Sequence, residues 1–461
     1  MLASPASSPT AARAALTSRV DDGPMNAFQW TAIGICIVLN MIDGFDVLVM
    51  AFTAASVAAE WQLNGAQIGL LLSAGLFGMA AGSLLIAPWA DRFGRRPLIL
   101  FCLALSGAGM LLSAMSQTPL QLALLRGCTG LGIGGILASS NVIASEYANK
   151  RWRGLAVSLQ STGYALGATL GGLIAVYLVS HHGWRAVFLF GGLATWVVMP
   201  LVLIGLPESL DFLIARRPAR ALPRINRLAQ RLGMPALAEL PAATQPLLSN
   251  TARLGELLKP RLRRTTLVIW ALFFLVMFGF YFVMSWTPKL LVAAGMSAQQ
   301  GISGGVLLSV GGIFGAALIG ALASRWPLAR ILAGFMLITA ALLVAFLGST
   351  SSIYAALGLG LLIGLFANGC VAGLYALSPV VYDTSVRATG VGWGIGIGRF
   401  GAIISPTVAG VLLDAGTKPL HLYALFGVVF VLAAGCLVFL KGPGGNAANH
   451  ARELGKVSEI T

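Results

Sequence analysis

Ile42-Asp43-Gly44-Phe45-Asp46 decides how the chain is read. It lies inside an apolar run from about Gln29 to Phe52, long enough to cross a bilayer. Hydrocarbon solvates no charge, so each carboxylate there costs ~3 kcal/mol or more at a helix centre. Asp43 and Asp46 are three residues apart and share one face of a helix. Two like charges that close in low dielectric cannot both stay ionised cheaply, so at least one holds a proton part of the time. A membrane helix with a switchable proton near mid-bilayer points to a proton-coupled carrier.

The rest of the chain agrees with a membrane reading. Of 461 residues, 57% are hydrophobic and 10% charged, with mean hydropathy +0.86, unlike any soluble domain. Twelve apolar runs of spanning length fill it, at about 28–52, 66–88, 97–115, 120–144, 155–179, 184–205, 265–290, 302–324, 329–348, 352–377, 388–412 and 420–440. Backbone polar groups must be satisfied internally in lipid, so these runs are helices. The expected fold is an all-α membrane protein of twelve transmembrane helices in two pseudo-symmetric six-helix bundles. The expected order is a disordered cytoplasmic tail (1–26), a first bundle (27–206), a cytoplasmic linker (207–264), a second bundle (265–441) and a cytoplasmic tail (442–461).

The net charge of +15 is a topology signal. Of 30 Lys and Arg, only Arg185, Lys289 and Lys418 fall in loops opposite the termini, and Arg126 and Arg399 fall within spans. The other 25 lie on the side of both termini, which the positive-inside rule makes cytoplasmic. No nucleic-acid partner is implied. The five cysteines all fall within spans at spacings that fit no metal or disulfide framework, and read as small packing residues.

The second half repeats the first at an offset of about 235 residues. Leu307-Leu308-Ser309 echoes Leu71-Leu72-Ser73, and Arg387 echoes Arg153. Four ionisable residues sit clearly within spans: Asp43, Asp46, Arg126 and Arg399. No histidine does, so a proton carrier must be Asp43 or Asp46. Two arginines suit an anionic substrate, because guanidinium forks onto a carboxylate. The bland alternatives are that Arg126 only neutralises an acid and that Arg399 only bonds backbone carbonyls. Phe278, Tyr281, Tyr375 and Trp393 could stack on an aromatic ring, with Asn368 as a polar contact; most aromatics in spans are packing or interface anchors.

Pro88-Trp89-Ala90-Asp91-Arg92-Phe93-Gly94-Arg95-Arg96 closes the second span. It resembles the helix 2–3 signature of the major facilitator superfamily, Gly-x-x-x-Asp-Arg-x-Gly-Arg-Arg, with Pro88 replacing the first Gly. The resemblance implies a conformational gate of Asp91, Arg92, Arg95, Glu146 and Arg153, in which Asp91 docks against the other half in one state; its carboxylate could accept from the amides that start helix 11 or pair with Arg153. Together with Asp-Gly-Phe-Asp, Arg126-x-x-Thr-Gly-Leu-Gly-Ile-Gly-Gly and Arg387-Ala-Thr-Gly-Val-Gly-Trp, the chain resembles the aromatic acid:proton symporters of that superfamily. The resemblance implies import of a small benzoate- or hydroxybenzoate-type acid across a bacterial inner membrane by alternating access. Asp43 and Asp46 would be the essential acids, and Arg126 and Arg399 the carboxylate partners. No cofactor is expected beyond the proton as coupling ion, and the carrier is expected to work as a monomer.

Other classes remain open on sequence. A drug/proton antiporter also has a glycine-rich fifth helix, but Ala168 stands where its Pro is expected. A facilitated uniporter would ignore a pH gradient, and a transporter-like sensor would move nothing. An enzyme has no support in any nucleophile–base pair or metal cluster.

Overall fold

The computed structural model describes residues 16, 18–218, 220–237, 239, 240, 255–346, 348, 352–382, 386–419 and 421–440. Most of the expected N-terminal tail, the linker from 241 to 254 and the C-terminal tail lie outside them. Among the described residues there are helices and no strand. They fall into two units, one built on Met1–Leu63 and Leu70–Leu247, the other on Asn64–Gly69 and Leu248–Thr461.

The first unit holds six spans: α1 (Ala27–Trp61), α2 (Gly65–Phe93), α3 (Arg95–Ala114), α4 (Pro119–Tyr147), α5 (Arg153–His182) and α6 (Trp184–Gly205). Two short helices follow, α7 (Leu210–Arg216) and α8 (Ala221–Arg231). The second unit holds α9 (Pro260–Ala293), α10 (Ala298–Ala323), α11 (Leu328–Ala345), α12 (Ile353–Leu377), α13 (Arg387–Asp414) and α14 (His421–Val438). Every expected span is present, with the linker between the sixth and seventh. The packing partners repeat as well. α1 lies on α5, as α9 lies on α13; α3 lies on α6, as α11 lies on α14.

Local sequence sets the ends. Asn26 and Gln29 form a capping box at the start of α1, and Gln62 ends it in the left-handed conformation at φ 50°. α1 has 35 residues, about 52 Å at 1.5 Å each, well over the ~30 Å hydrocarbon core. It outruns the apolar stretch because Thr53-Ala54-Ala55-Ser56-Val57-Ala58-Ala59-Glu60 carries no helix breaker.

Glycine permits the closest approaches. A Cβ on Gly44 would overlap the carbonyl of Tyr164, and one on Gly167 the carbonyl of Met41. The central stretch of α1 is thereby pressed against α5, backbone to backbone. Large apolar side chains such as Phe77 and Leu84 stay exposed on the outer faces, as lipid-facing residues must.

Two expectations are corrected. The tail was expected to be disordered through residue 26, but residues 18–22 are helical. Leu16 and Val20 are buried with Leu210, Leu213 and Ile214, and Asp21 pairs with Arg153 at 2.5 Å. The linker was expected to start at 207 as a spacer, but its first part folds onto the first unit. Ile225, Leu228, Ala229 and Leu232 recur at helical spacing, and all are buried.

The signature loop is shorter than expected. Helix continues through Phe93, and only Gly94 breaks it, at φ 102°. Glu208 of the Pro207-Glu208-Ser209 triplet caps the next helix, its Oε1 accepting from the amides of Arg95 and Arg96 at 2.8 and 3.2 Å. Glu208→Ala is therefore expected to lower stability by about 1 kcal/mol, read as a fall in melting temperature in detergent.

Candidate functional site

In the first unit the sequence-expected residues come together. Asp43 and Asp46 are 1% and 0% exposed, and Arg126 is 2% exposed. They stand on α1 and α4. The Asp46 carboxylate accepts from the Ser106 hydroxyl of α3 at 3.2 Å. Arg126 donates to the main-chain carbonyl of Asp46, and to the Met110 sulfur at 3.0 Å. Its guanidinium lies 5.8 Å from the centre of the Phe188 ring of α6, a cation–π distance.

The guanidinium is thus beside the acids without being locked to either carboxylate. None of the six ion pairs among the described residues includes Asp43, Asp46, Arg126 or Arg399. Both carboxylate oxygens of Asp43, one of Asp46 and Nε of Arg126 are buried without a hydrogen-bond partner. The neutralising alternative has no carboxylate–guanidinium contact here, although Asp46 and Arg126 lie within electrostatic reach of each other. A charged triad with unused hydrogen-bonding capacity is expensive in a membrane protein and suits groups that change partners.

The second unit presents a different site. Nη1 of Arg399, on α13, is buried without a partner. Tyr281 of α9 and Tyr375 of α12 lie within electrostatic reach of it. Tyr375 receives the Phe273 ring edge-on at 5.6 Å, and Trp393 lies 5.9 Å from Trp270. Tyr375 and Trp393 are each about two-fifths exposed, leaving ring surface uncovered.

Two expected contacts are already engaged within the fold. Asn368 donates through its amide to the carbonyl of Gly312 at 2.9 Å, tying α12 to α10. Phe278 stacks on Phe274 and Phe426 at 5.8 and 5.1 Å, as core aromatics do.

The gate residues divide. Arg95 pairs with Glu146 and with the Ser209 hydroxyl, so the ends of α3 and α4 are clamped to Ser209, before α7. Arg153 takes Asp21, so of the two partners considered for Asp91 this one is engaged elsewhere. Asp91 and Arg92 are exposed; Asp91 accepts from Arg216 at 2.9 Å, but through its main-chain carbonyl. Sequence reasoning missed Ser106, which donates to Asp46, and the buried neutral polar residues Asn40, Gln160 and Ser139 of the same unit. Their signal was there, since a polar side chain in a span needs a partner or a purpose.

Two six-span bundles with the same internal pairing, and unspent charges buried within spans, define a multi-pass membrane carrier. Residues 33–376 match the family model described as Major Facilitator Superfamily. The chain belongs to that family, whose members are transporters and not enzymes. It is 35% identical to a gallate transporter of Pseudomonas putida, over 90% of this chain and 92% of that one. It is 31% identical to the 4-hydroxybenzoate transporter PcaK of Acinetobacter baylyi, over 92% and 93%. Among solved structures, the xylose transporter XylE from E. coli shares the fold, with TM-score 0.68 at 18% identity, over 89% of this chain and 97% of that one.

Proposed function

We propose that this carrier imports a small aromatic carboxylate of the benzoate or hydroxybenzoate type together with a proton, by alternating access. The observation that carries the reading is the buried Asp43/Asp46 pair, its oxygens largely unpartnered, beside an Arg126 bound to no carboxylate. The names of the gallate and 4-hydroxybenzoate relatives supply the substrate class.

The mechanism follows from charge. A proton from outside neutralises the acid pair, which leaves Arg126 as an uncompensated cation. The substrate carboxylate restores the balance by accepting from the guanidinium fork. Arg399, flanked by Tyr281 and Tyr375, is the second candidate for the anion, and the exposed rings of Tyr375 and Trp393 suit its aromatic body. With charges matched, the carrier changes conformation; on the inner side the acid and the proton leave. The excess of Lys and Arg on the face carrying Arg95 and Arg153 supports an inner-membrane orientation with that face cytoplasmic.

Uptake of labelled aromatic acid into proteoliposomes under an imposed pH gradient tests this. The native protein is expected to accumulate the acid above equilibrium. The Asp43→Asn, Asp46→Asn double variant is expected to accumulate at least tenfold less. Full gradient-driven accumulation by that variant would contradict the reading.

A further inference from the structure

A symported proton must leave Asp43 toward the opposite side from which it came. The structure holds a polar layer on that side that the transport reading does not use. Asn40 stands one turn before Asp43 on α1 and is 4% exposed. Its Nδ2 donates to the carbonyl of Cys36 at 2.9 Å and lies 3.5 Å from the Ser140 hydroxyl of α4. Gln160 of α5, 1% exposed, donates to the Ser140 carbonyl at 3.3 Å. α1 and α5 therefore both meet α4 at Ser140, next to Ser139, and Asn40 stands about one helical turn from Asp43.

The layer is incompletely satisfied. Gln160 Oε1 and the Ser139 hydroxyl are both buried without a partner, as are both oxygens of Asp43. Ser139 lies on the same face of α4 as Gly132 and Gly135, whose Cβ positions would meet Ser106 and Cys102 of α3. Cys102 is in turn within electrostatic reach of Asp43. Buried polar atoms left over by the protein are the ones that ordered water satisfies.

We propose that Gln160 Oε1 and Ser139 Oγ hold water beneath Asp43, and that this water takes the Asp43 proton in the unloading step. The O–H bond of the carboxyl breaks and its electron pair stays on the carboxylate. The proton joins water as hydronium and passes to bulk water at the basic face. Nothing is oxidised or reduced. Among the described residues, the titratable and polar groups that interact with the acid pair are Cys102 and Ser106 from α3 and Arg126 from α4; Gln160 of α5 reaches the Ser140 carbonyl. Gln160 and Ser139 are neutral, so they can hold water without trapping the charge that it carries. They are positioning residues, and this inference rests on the proposed proton coupling.

The test compares net uptake under a pH gradient with exchange of internal for external labelled acid, in proteoliposomes of Gln160→Leu and Ser139→Ala. Exchange cycles the loaded carrier and needs no proton release, so it also reports folding. Net uptake is expected to fall tenfold or more in Gln160→Leu, severalfold in Ser139→Ala, and in both by much more than exchange. Unchanged net uptake, or equal loss of both rates, overturns the relay. If the native protein itself moves no proton, the transport reading fails first. A coupled native protein with unaltered variants sinks only the relay.

Discussion

Arg126→Leu is expected to reduce uptake of the aromatic acid by at least a hundredfold while the protein still folds. Arg126 is the cation that interacts with the acid pair among the described residues of its unit, where it donates to the Asp46 carbonyl and sits over Phe188. Without it, an ionised Asp46 would stand in low dielectric with only Ser106 as a donor, a cost of several kcal/mol. About 2.8 kcal/mol is already a factor of a hundred. The variant is therefore expected to hold its protons, lose the guanidinium that receives substrate, and stop cycling. Arg126→Lys is not expected to restore uptake above a tenth of native, because an ammonium cannot fork onto a carboxylate or lie flat over a ring. The measurement is initial uptake rate with melting temperature as the folding control. Native-like uptake by Arg126→Leu would show that the residue is needed neither to receive substrate nor to compensate Asp46.

The second large effect comes from one methyl group. Gly44→Ala is expected to destabilise the protein by 2 kcal/mol or more, since its Cβ would overlap the Tyr164 carbonyl and force α1 away from α5. Gly167→Ala should act alike from the other side of the same seam, against Met41. Gly34 supplies the contrast on the same helix: nothing lies within 4 Å of its Cβ position. Gly34→Ala is expected to be neutral or to stabilise by up to ~1 kcal/mol, because Ala is the better helix former. Thermal unfolding in detergent separates the three. Similar melting temperatures for Gly34→Ala and Gly44→Ala would contradict the packing described. The effect also explains the glycine of the motif: Gly44 lets α1 press on α5, while Asp46 meets Ser106 of α3 and Arg126 of α4.

Much of this was legible from sequence because membrane physics is coarse. A bilayer demands some twenty apolar residues per helix and confines basic residues to one side, so spans and repeat stand out. Asp43, Asp46 and Arg126 stood out because any charge in a span is conspicuous. What stayed hidden was how neutral polar side chains pair. Asn368 looked available for a ligand, yet its amide is spent on Gly312. Ser106, Gln160 and Ser139 became informative only once helix packing buried them, Ser106 against Asp46 and Gln160 against the Ser140 carbonyl. The ends of the first unit were misjudged because composition outweighed periodicity. α8 is rich in arginine and contains Pro223, but Ile225, Leu228 and Ala229 form a buried stripe. Val20 and Asp21 anchor the end of a tail whose composition resembles disorder.

Proton movement during substrate entry tests the central claim most directly. Proteoliposomes containing the native protein and an internal pH indicator, with the membrane potential clamped and no initial pH gradient, are given an inward gradient of an aromatic carboxylate too polar to cross lipid unaided. Internal acidification that begins with the substrate, scales with its flux and disappears in the Asp43→Asn, Asp46→Asn variant is the predicted result. Substrate entry at native rate with no change in internal pH would contradict it.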